Sequence, residues 1–236
     1  MKQLIDYLEK NNISFDEETI RKFEGYRSRI LELNEHINLT AIKDPEEFTL
    51  KHFVDSITCF NIPEYQDGYK VLDLGTGAGF PGVPLAILSP EKEFVLVDSL
   101  NKRLKIIMQL CEELGIENVS TVHGRAEDLA KQEVHREKYD ICISRAVANL
   151  NVLSEYCLPF VKVGGYMAAY KGADAQKEVD DAKKAMKILG AIDYRLHDAS
   201  IGESGRDHQI LLVKKGNKTP SKYPRKAGTP VKEPLK

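Results

Sequence analysis

No CxxC pair, no HxxxH spacing and no long apolar run occur in these 236 residues, and each absence closes off a class of protein. The four cysteines, Cys59, Cys111, Cys142 and Cys157, lie far apart, which fits reduced core thiols and not a disulfide framework or a zinc knuckle. The six histidines form no cluster with each other or with cysteine, so no metal is expected. Apolar runs too short for a signal peptide or a membrane span lead to the expectation of a cytoplasmic protein with no membrane partner.

What the chain does have is the stretch Val71 to Pro84, VLDLGTGAGFPGVP, an apolar strand running into a glycine-dense turn and then a helix. Val71, Leu72 and Leu74 have the unbroken apolar character of a buried parallel strand, and Gly75, Gly77 and Gly79 follow at every second position. Without a Cβ, such a turn can take positive φ and lie against a ligand. The next strand, Phe94 to Val97, leads into Asp98 about 20 residues on, where a carboxylate can accept hydrogen bonds from both hydroxyls of a ribose. Dinucleotide turns use GxGxxG and seat a pyrophosphate on the helix N-terminus, whereas here GxGxG is followed by Phe80, Pro81 and Gly82. Proline offers a phosphate no N–H, and Phe80 is bulky where a diphosphate would approach. The phosphate-free S-adenosylmethionine, in a wider turn beside Asp73, is the better guest. A methyltransferase is favoured over an NAD-linked oxidoreductase, with a non-catalytic S-adenosylmethionine-binding RNA module as the alternative.

Organisation along the chain predicts three regions. Residues 1–67 form an N-terminal helical cap, 68–214 the methyltransferase domain and 215–236 a basic, proline-containing tail. Helical spacing covers Gln3 to Glu9 and Glu17 to Leu33, with Ile20, Phe23, Ile30 and Leu33 near one stripe. A third helix begins at Pro45, capped by Asp44, and runs through His52 toward Ile57. Strands and helices then alternate as a mostly parallel, seven-stranded, Rossmann-like sheet of class I methyltransferase type requires, with one antiparallel strand near the end. Gly164 and Gly165 read as a turn before a strand, and Asp174 to Leu189 as a long helix. From Lys214 onward, eight basic residues face one acidic, so this end carries +7 and the remainder −9. Pro220, Pro224, Pro230 and Pro234 predict an extended tail without helix.

Ligands of such sheets bind beyond the carboxyl ends of the strands. Those positions hold Gly75 to Phe80, then Asp98 and Ser99, then Ala126 and Glu127, then Arg145, then Lys171. Ala126 and Glu127 are placed to border an adenine and accept from its amine.

NEHINLT (Asn34 to Thr40), KHFVDS (Lys51 to Ser56), LDLGTGAGFPG, VDSLNKR (Val97 to Arg103), Arg125-Ala126-Glu127, SRAVA (Ser144 to Ala148) and YPRKAGTPVKEPL (Tyr223 to Leu235) together resemble the bacterial RsmG/GidB family, the ribosomal RNA small subunit methyltransferases G. The resemblance covers nearly the whole chain. It implies transfer of a methyl group from S-adenosylmethionine to N7 of a guanosine in the decoding-region loop of 16S rRNA. It also implies that Gly75, Phe80, Ala126, Glu127 and Arg145 touch the cofactor or close its pocket. With the readings above, the expected cofactor set is Asp73, Gly75, Gly77, Gly79, Phe80, Asp98, Ser99, Ala126, Glu127 and Arg145, the last also positioning the reaction. His52, Lys171, Arg206, Lys222, Arg225 and Lys226 are the expected contacts to 16S rRNA in the small ribosomal subunit, made by a monomer. Two motifs of other base chemistries are missing: the fourth strand leads into Ser144-Arg145-Ala146-Val147 and not Asn/Asp-Pro-Pro-aromatic, and no Pro-Cys pair offers a nucleophile for a ring carbon. Guanine N7 needs neither.

Overall fold

The computed structural model describes residues 1–201 and 208–236. Helix α1 (Lys2–Lys10) precedes α2 (Glu17–Asn34), which begins at a capping box. The Asp16 carboxylate accepts from the Thr19 N–H at 2.8 Å, and the Asp16 N–H reaches the Thr19 hydroxyl at 3.4 Å; such a cap stabilises by about 1 kcal/mol. Phe23, Tyr26 and Ile30 form the buried stripe, each contributing roughly 1.5–3 kcal/mol, while Ile20 and Leu33 are half-buried. Asp44 accepts from the Glu46 and Glu47 N–H groups and opens α3 (Pro45–Phe48), as its sequence suggests. The helix then passes through a π-helical stretch, Thr49–Val54, into α4 (Asp55–Ile57). Sequence periodicity carries no sign of that π stretch, a feature often found at functional sites. A short α5 (Pro63–Asp67) leads into the sheet.

The sheet elements follow as β1 (Lys70–Leu74), α6 (Gly82–Leu88), β2 (Glu93–Asp98), α7 (Asn101–Glu113), β3 (Val119–His123), α8 (Ala126–Leu129), β4 (Tyr139–Arg145), α9 (Leu150–Cys157), β5 (Val161–Lys171), α10 (Ala175–Ile188), β6 (Ala191–Asp198) and β7 (Gln209–Lys215). Among the described residues these seven strands make one sheet, in the order β3-β2-β1-β4-β5-β7-β6. β7 runs antiparallel to both its neighbours, and the remaining strand pairs are parallel. The strand order reverses between β1 and β4, which opens a crevice at their carboxyl ends. On one face the cap packs with α6 and α7 in a single core that includes Phe23, Phe53, Val71 and Phe94, so residues 1–67 share their core with the sheet. On the other face α9 and α10 cover Leu72, Cys142 and Met167. All four cysteines are buried free thiols.

Two expectations need correction. Gly164 and Gly165 are not a turn before the strand; they lie inside β5, where the β4–β5 register shifts after Tyr139. A Cβ on Gly165 would sit 2.4 Å from the Asp140 carbonyl oxygen, so the missing side chain allows the two backbones to approach at this bulge. The tail is not extended throughout. It ends in a short helix, α11 (Thr229–Lys232), because Pro230 occupies the first turn, where a missing N–H costs nothing. The tail is also bolted to the domain. Arg136 donates to the Thr219, Pro220 and Tyr223 carbonyls, and Arg225 grips the fully buried Glu155 through Nε (2.9 and 3.1 Å) and Nη2 (2.6 Å).

Candidate active site

Two adjoining cavities lie at the carboxyl ends of the strands, and Val147, just past β4, belongs to both walls. The smaller, about 290 Å³, is lined by Gly75, Asp98, Ser99, Ala126 and Glu127, with Gly228 and Val231 of the tail along its rim. Gly75 has φ +76°, and a Cβ there would lie 2.4 Å from Val147 Cγ2, so only glycine leaves this wall open. The glycine amides of the turn, with those of Thr76 and Phe80, are committed within the protein. Gly75 and Thr76 donate to the Val97 carbonyl, Gly77 to Asp98 Oδ2 at 2.9 Å, and Gly79 and Phe80 to the Thr76 carbonyl. A diphosphate would therefore find no nest of free N–H groups at these positions. The pocket suits an uncharged sugar and base, with the Asp98 carboxylate, 7% exposed, on its wall.

Asp73, Gly77, Gly79 and Phe80 line neither cavity and act from behind. Asp73 is fully buried, and its Oδ2 accepts from the Thr76 hydroxyl (2.6 Å) and the Gly82 N–H (2.9 Å), which pins the turn to the start of α6. Burial pushes its carboxyl up to about 6. Gly79 packs under Tyr26, whose hydroxyl donates to the Ala78 carbonyl at 2.9 Å. Phe80 stacks on His52 at 4.4 Å between centroids and 4° between planes. Glu127 is 5% exposed, and its Oε1 accepts from the Gly228 N–H at 3.0 Å, so the tail holds the oxygen that the sequence offered to an amine.

The larger cavity, about 1180 Å³, joins the cap to the ends of β4 and β5. Arg145 donates to Asp55 Oδ2 and to the Lys51 carbonyl, and the other Asp55 oxygen is 2.6 Å from His208 Nδ1. Burial acts to raise the Asp55 carboxyl, but the His208 hydrogen bond and the Arg145 charge outweigh it and hold the group below its ordinary value. His52 has the opposite fate: burial, then the Arg145 charge, lowers it to about 3. The ring is therefore neutral, with Nε2 2.7 Å from the Thr40 hydroxyl and Nδ1 3.4 Å from Arg145 Nη2. Asn34 in turn holds the loop before the cap helix, its Oδ1 accepting from the Leu39 and Thr40 N–H groups. Ala146, with φ +57°, is a non-glycine residue in the left-handed region, a conformation that costs about 1–3 kcal/mol and turns the chain between Arg145 and Val147.

Of the residues expected to meet RNA, His52 and Lys171 line the larger cavity. Lys222 and Lys226 are exposed on the tail, Arg225 is committed to Glu155, and Arg206 lies outside the described residues. Asp55, Glu178 and His208 complete the site and escape a reading of the sequence for site residues. Asp55 could have been sought three residues after His52 on one helix, but His208 lies 153 residues from its partner, and Glu178 is one of several charges on α10.

The sheet order, the crevice and the glycine turn define the class I methyltransferase fold. An O-methyltransferase from Bacillus cereus, solved in complex with SAH, superposes with a TM-score of 0.59 at 18% identity over 89% of this chain and 96% of its own. The apo S-adenosylmethionine-dependent methyltransferase SibL gives 0.54 at 14% identity over 92% and 74%. The family model of rRNA small subunit methyltransferase G matches residues 19–208. The ribosomal RNA small subunit methyltransferase G of Clostridium tetani is 47% identical over 224 residues, 95% of this chain and 94% of the relative. That of Desulfitobacterium hafniense is 49% identical over 224 residues, 95% and 92%. The chain belongs to the rRNA small subunit methyltransferase G family.

Proposed function

We propose that this protein methylates N7 of a guanosine in the decoding-region loop of 16S rRNA, using S-adenosylmethionine and acting as a cytoplasmic monomer. The observation that carries the reading is the glycine turn, whose three glycine amides are taken while Asp98 lines the cavity beside it. That arrangement fits a nucleoside without phosphate. Gly75, Asp98, Ser99, Ala126 and Glu127 would hold the adenosine, and Arg145 would meet the amino-acid end across Val147. Bound there, the cofactor would supply a sulfonium methyl as the electrophile for the N7 lone pair, with the C–S electron pair leaving on sulfur.

The chain's own residues have a limited task, since N7 carries its lone pair without deprotonation. They must bring the two partners into line, an effect worth about 7–11 kcal/mol in favourable systems. Arg145 is held by Asp55 and Lys51 and lies 5.7 Å from the Phe80 ring centre, so its guanidinium is pre-oriented. The neutral His52 keeps further positive charge away from a base that becomes cationic. Among the described residues no cysteine lines either cavity, which suits a reaction without covalent catalysis. The test uses tritiated donor and small ribosomal subunits from a strain lacking the gene, with the label mapped by borohydride-aniline scission. Label at one N7-methylguanosine supports the reading; donor binding without transfer overturns it.

A further inference from the structure

We propose that Glu178, held by Lys171, reads the Watson–Crick edge of the target guanine, an assignment that rests on the function proposed above. A guanine whose N7 faces the methyl donor turns its N1–H and 2-amino group to the opposite side, into the larger cavity. Those are donors, and they need an acceptor. Two carboxylates line that cavity, Asp55 and Glu178. Both Asp55 oxygens are taken, one by Arg145 and one by His208. Glu178 differs. Its Oε2 accepts from the Leu150 N–H at 2.9 Å and from Lys171 Nζ at 2.8 Å, and Oε1 has no protein partner among the described residues. Lys171 is itself fixed, its side chain 8% exposed and its ammonium also donating to the Ala148 carbonyl at 3.1 Å. The result is a carboxylate anchored through one oxygen, with its side chain 32% exposed and the other oxygen left for a ligand.

The same contact favours the reaction as well as the substrate. Methylation at N7 makes the purine cationic and its N1–H a stronger donor, so the bond to a carboxylate tightens as the methyl group arrives. An interaction that grows toward the transition state raises kcat and not merely affinity. A purely structural Glu178, tying α9 to α10, would have no such dependence on the base.

Glu178→Gln separates the two roles. Its carbonyl can keep the bonds from Leu150 and Lys171, which places an NH2 donor where Oε1 faced the base. Methyl transfer is measured on small subunits reconstituted with guanosine or inosine at the target position, since inosine keeps N7, N1–H and O6 and lacks only the 2-amino group. Wild-type protein should prefer guanosine by roughly tenfold or more in kcat/KM, the effect of one hydrogen bond to a charged group. Glu178→Gln should lose roughly ten- to a hundredfold on guanosine, with the loss in kcat, should erase most of the guanosine–inosine gap, and should bind donor with unchanged affinity by calorimetry. A gap that survives in the variant overturns the assignment. So does a wild-type protein that treats the two bases alike, a result that needs no variant to fold. Absence of transfer by the wild type to guanosine subunits would instead sink the proposed function itself, and this assignment with it.

Discussion

Removing the Arg225 side chain tests whether the tail is part of the smaller cavity or an appendage beside it. Glu155 is fully buried on α9, and Arg225 meets it through Nε and Nη2 while its backbone N–H adds a bond of 2.8 Å. Arg225→Ala leaves that carboxylate with only the backbone donor. Breaking a buried pair costs about 3–5 kcal/mol, and the lower end applies here because the Arg225 side chain is 23% exposed. About 3 kcal/mol corresponds to more than a hundredfold rise in the opened population. The opening should be local, since beyond Arg225 the tail holds on chiefly through the Gly228–Glu127 bond and the packing of Pro230. Hydrogen exchange at the Gly228, Lys232 and Glu233 amides should accelerate by about a hundredfold, and donor affinity should fall as Gly228 and Val231 leave the rim of the smaller cavity. Glu155→Gln in the same background should recover part of both losses, because a neutral amide is less costly to leave half-paired. Unchanged exchange at those amides in Arg225→Ala would refute the clamp, and unchanged donor affinity despite faster exchange would refute its link to the pocket.

Gly75→Ala should weaken donor binding at least tenfold by calorimetry, because its Cβ meets Val147 at 2.4 Å and φ is +76°; adding Val147→Ala should restore part of the loss by removing the clash while leaving the backbone strain. His52 is lowered to about 3 in the folded chain, so the unfolded chain binds the extra proton from about pH 6.5 down to about 3 and stability falls with pH across that window. His52→Phe should flatten the pH dependence of the unfolding free energy there by up to about 1.4 kcal/mol per pH unit, measured by denaturant titration. Asp55, also lowered, contributes stability present above its unfolded value and lost as pH falls through its folded one, so Asp55→Asn should reduce acid sensitivity below about pH 4. Arg145→Lys should cut single-turnover rate by roughly tenfold or more, since an ammonium cannot reproduce the guanidinium's planar set of contacts to Asp55, Lys51 and the facing ligand. Lys222→Ala with Lys226→Ala should reduce the salt slope of RNA binding by about 1.4–1.8, and an unchanged slope would remove these two side chains from the interface.

Much of the smaller cavity was legible before any fold was known. A glycine turn, the carboxylate ending the next strand and the Ala126-Glu127 pair are short-range signals, each a few residues from a strand end, and the strands place them together. The roles of Asp73 and Phe80 were less legible, because spacing tells that a residue belongs to a turn and not which side of the turn it occupies. Asp73 points back to Gly82, and Phe80 packs into the cap beneath His52. The tail misled for a similar reason: charge and proline suggest an extended cationic strip, and nothing in Arg225 itself announces a buried glutamate 70 residues away.

Local chemistry in the sequence determined the strand-turn-helix cradle, the alternation of elements and the capped helices, because each depends on neighbours within a few residues. The tertiary structure alone decided the Asp55–Arg145–His208 set, the anchored Glu178 and the clasp of the tail on Glu127. Apart from the Lys171–Glu178 pair, those contacts join residues from 28 to 153 positions apart, and they exist only once the sheet order has closed the loops between them. Which oxygen of a carboxylate is taken and which is left free follows from packing, and that choice, more than the presence of a glutamate, makes a wall of the cavity into a reader of bases.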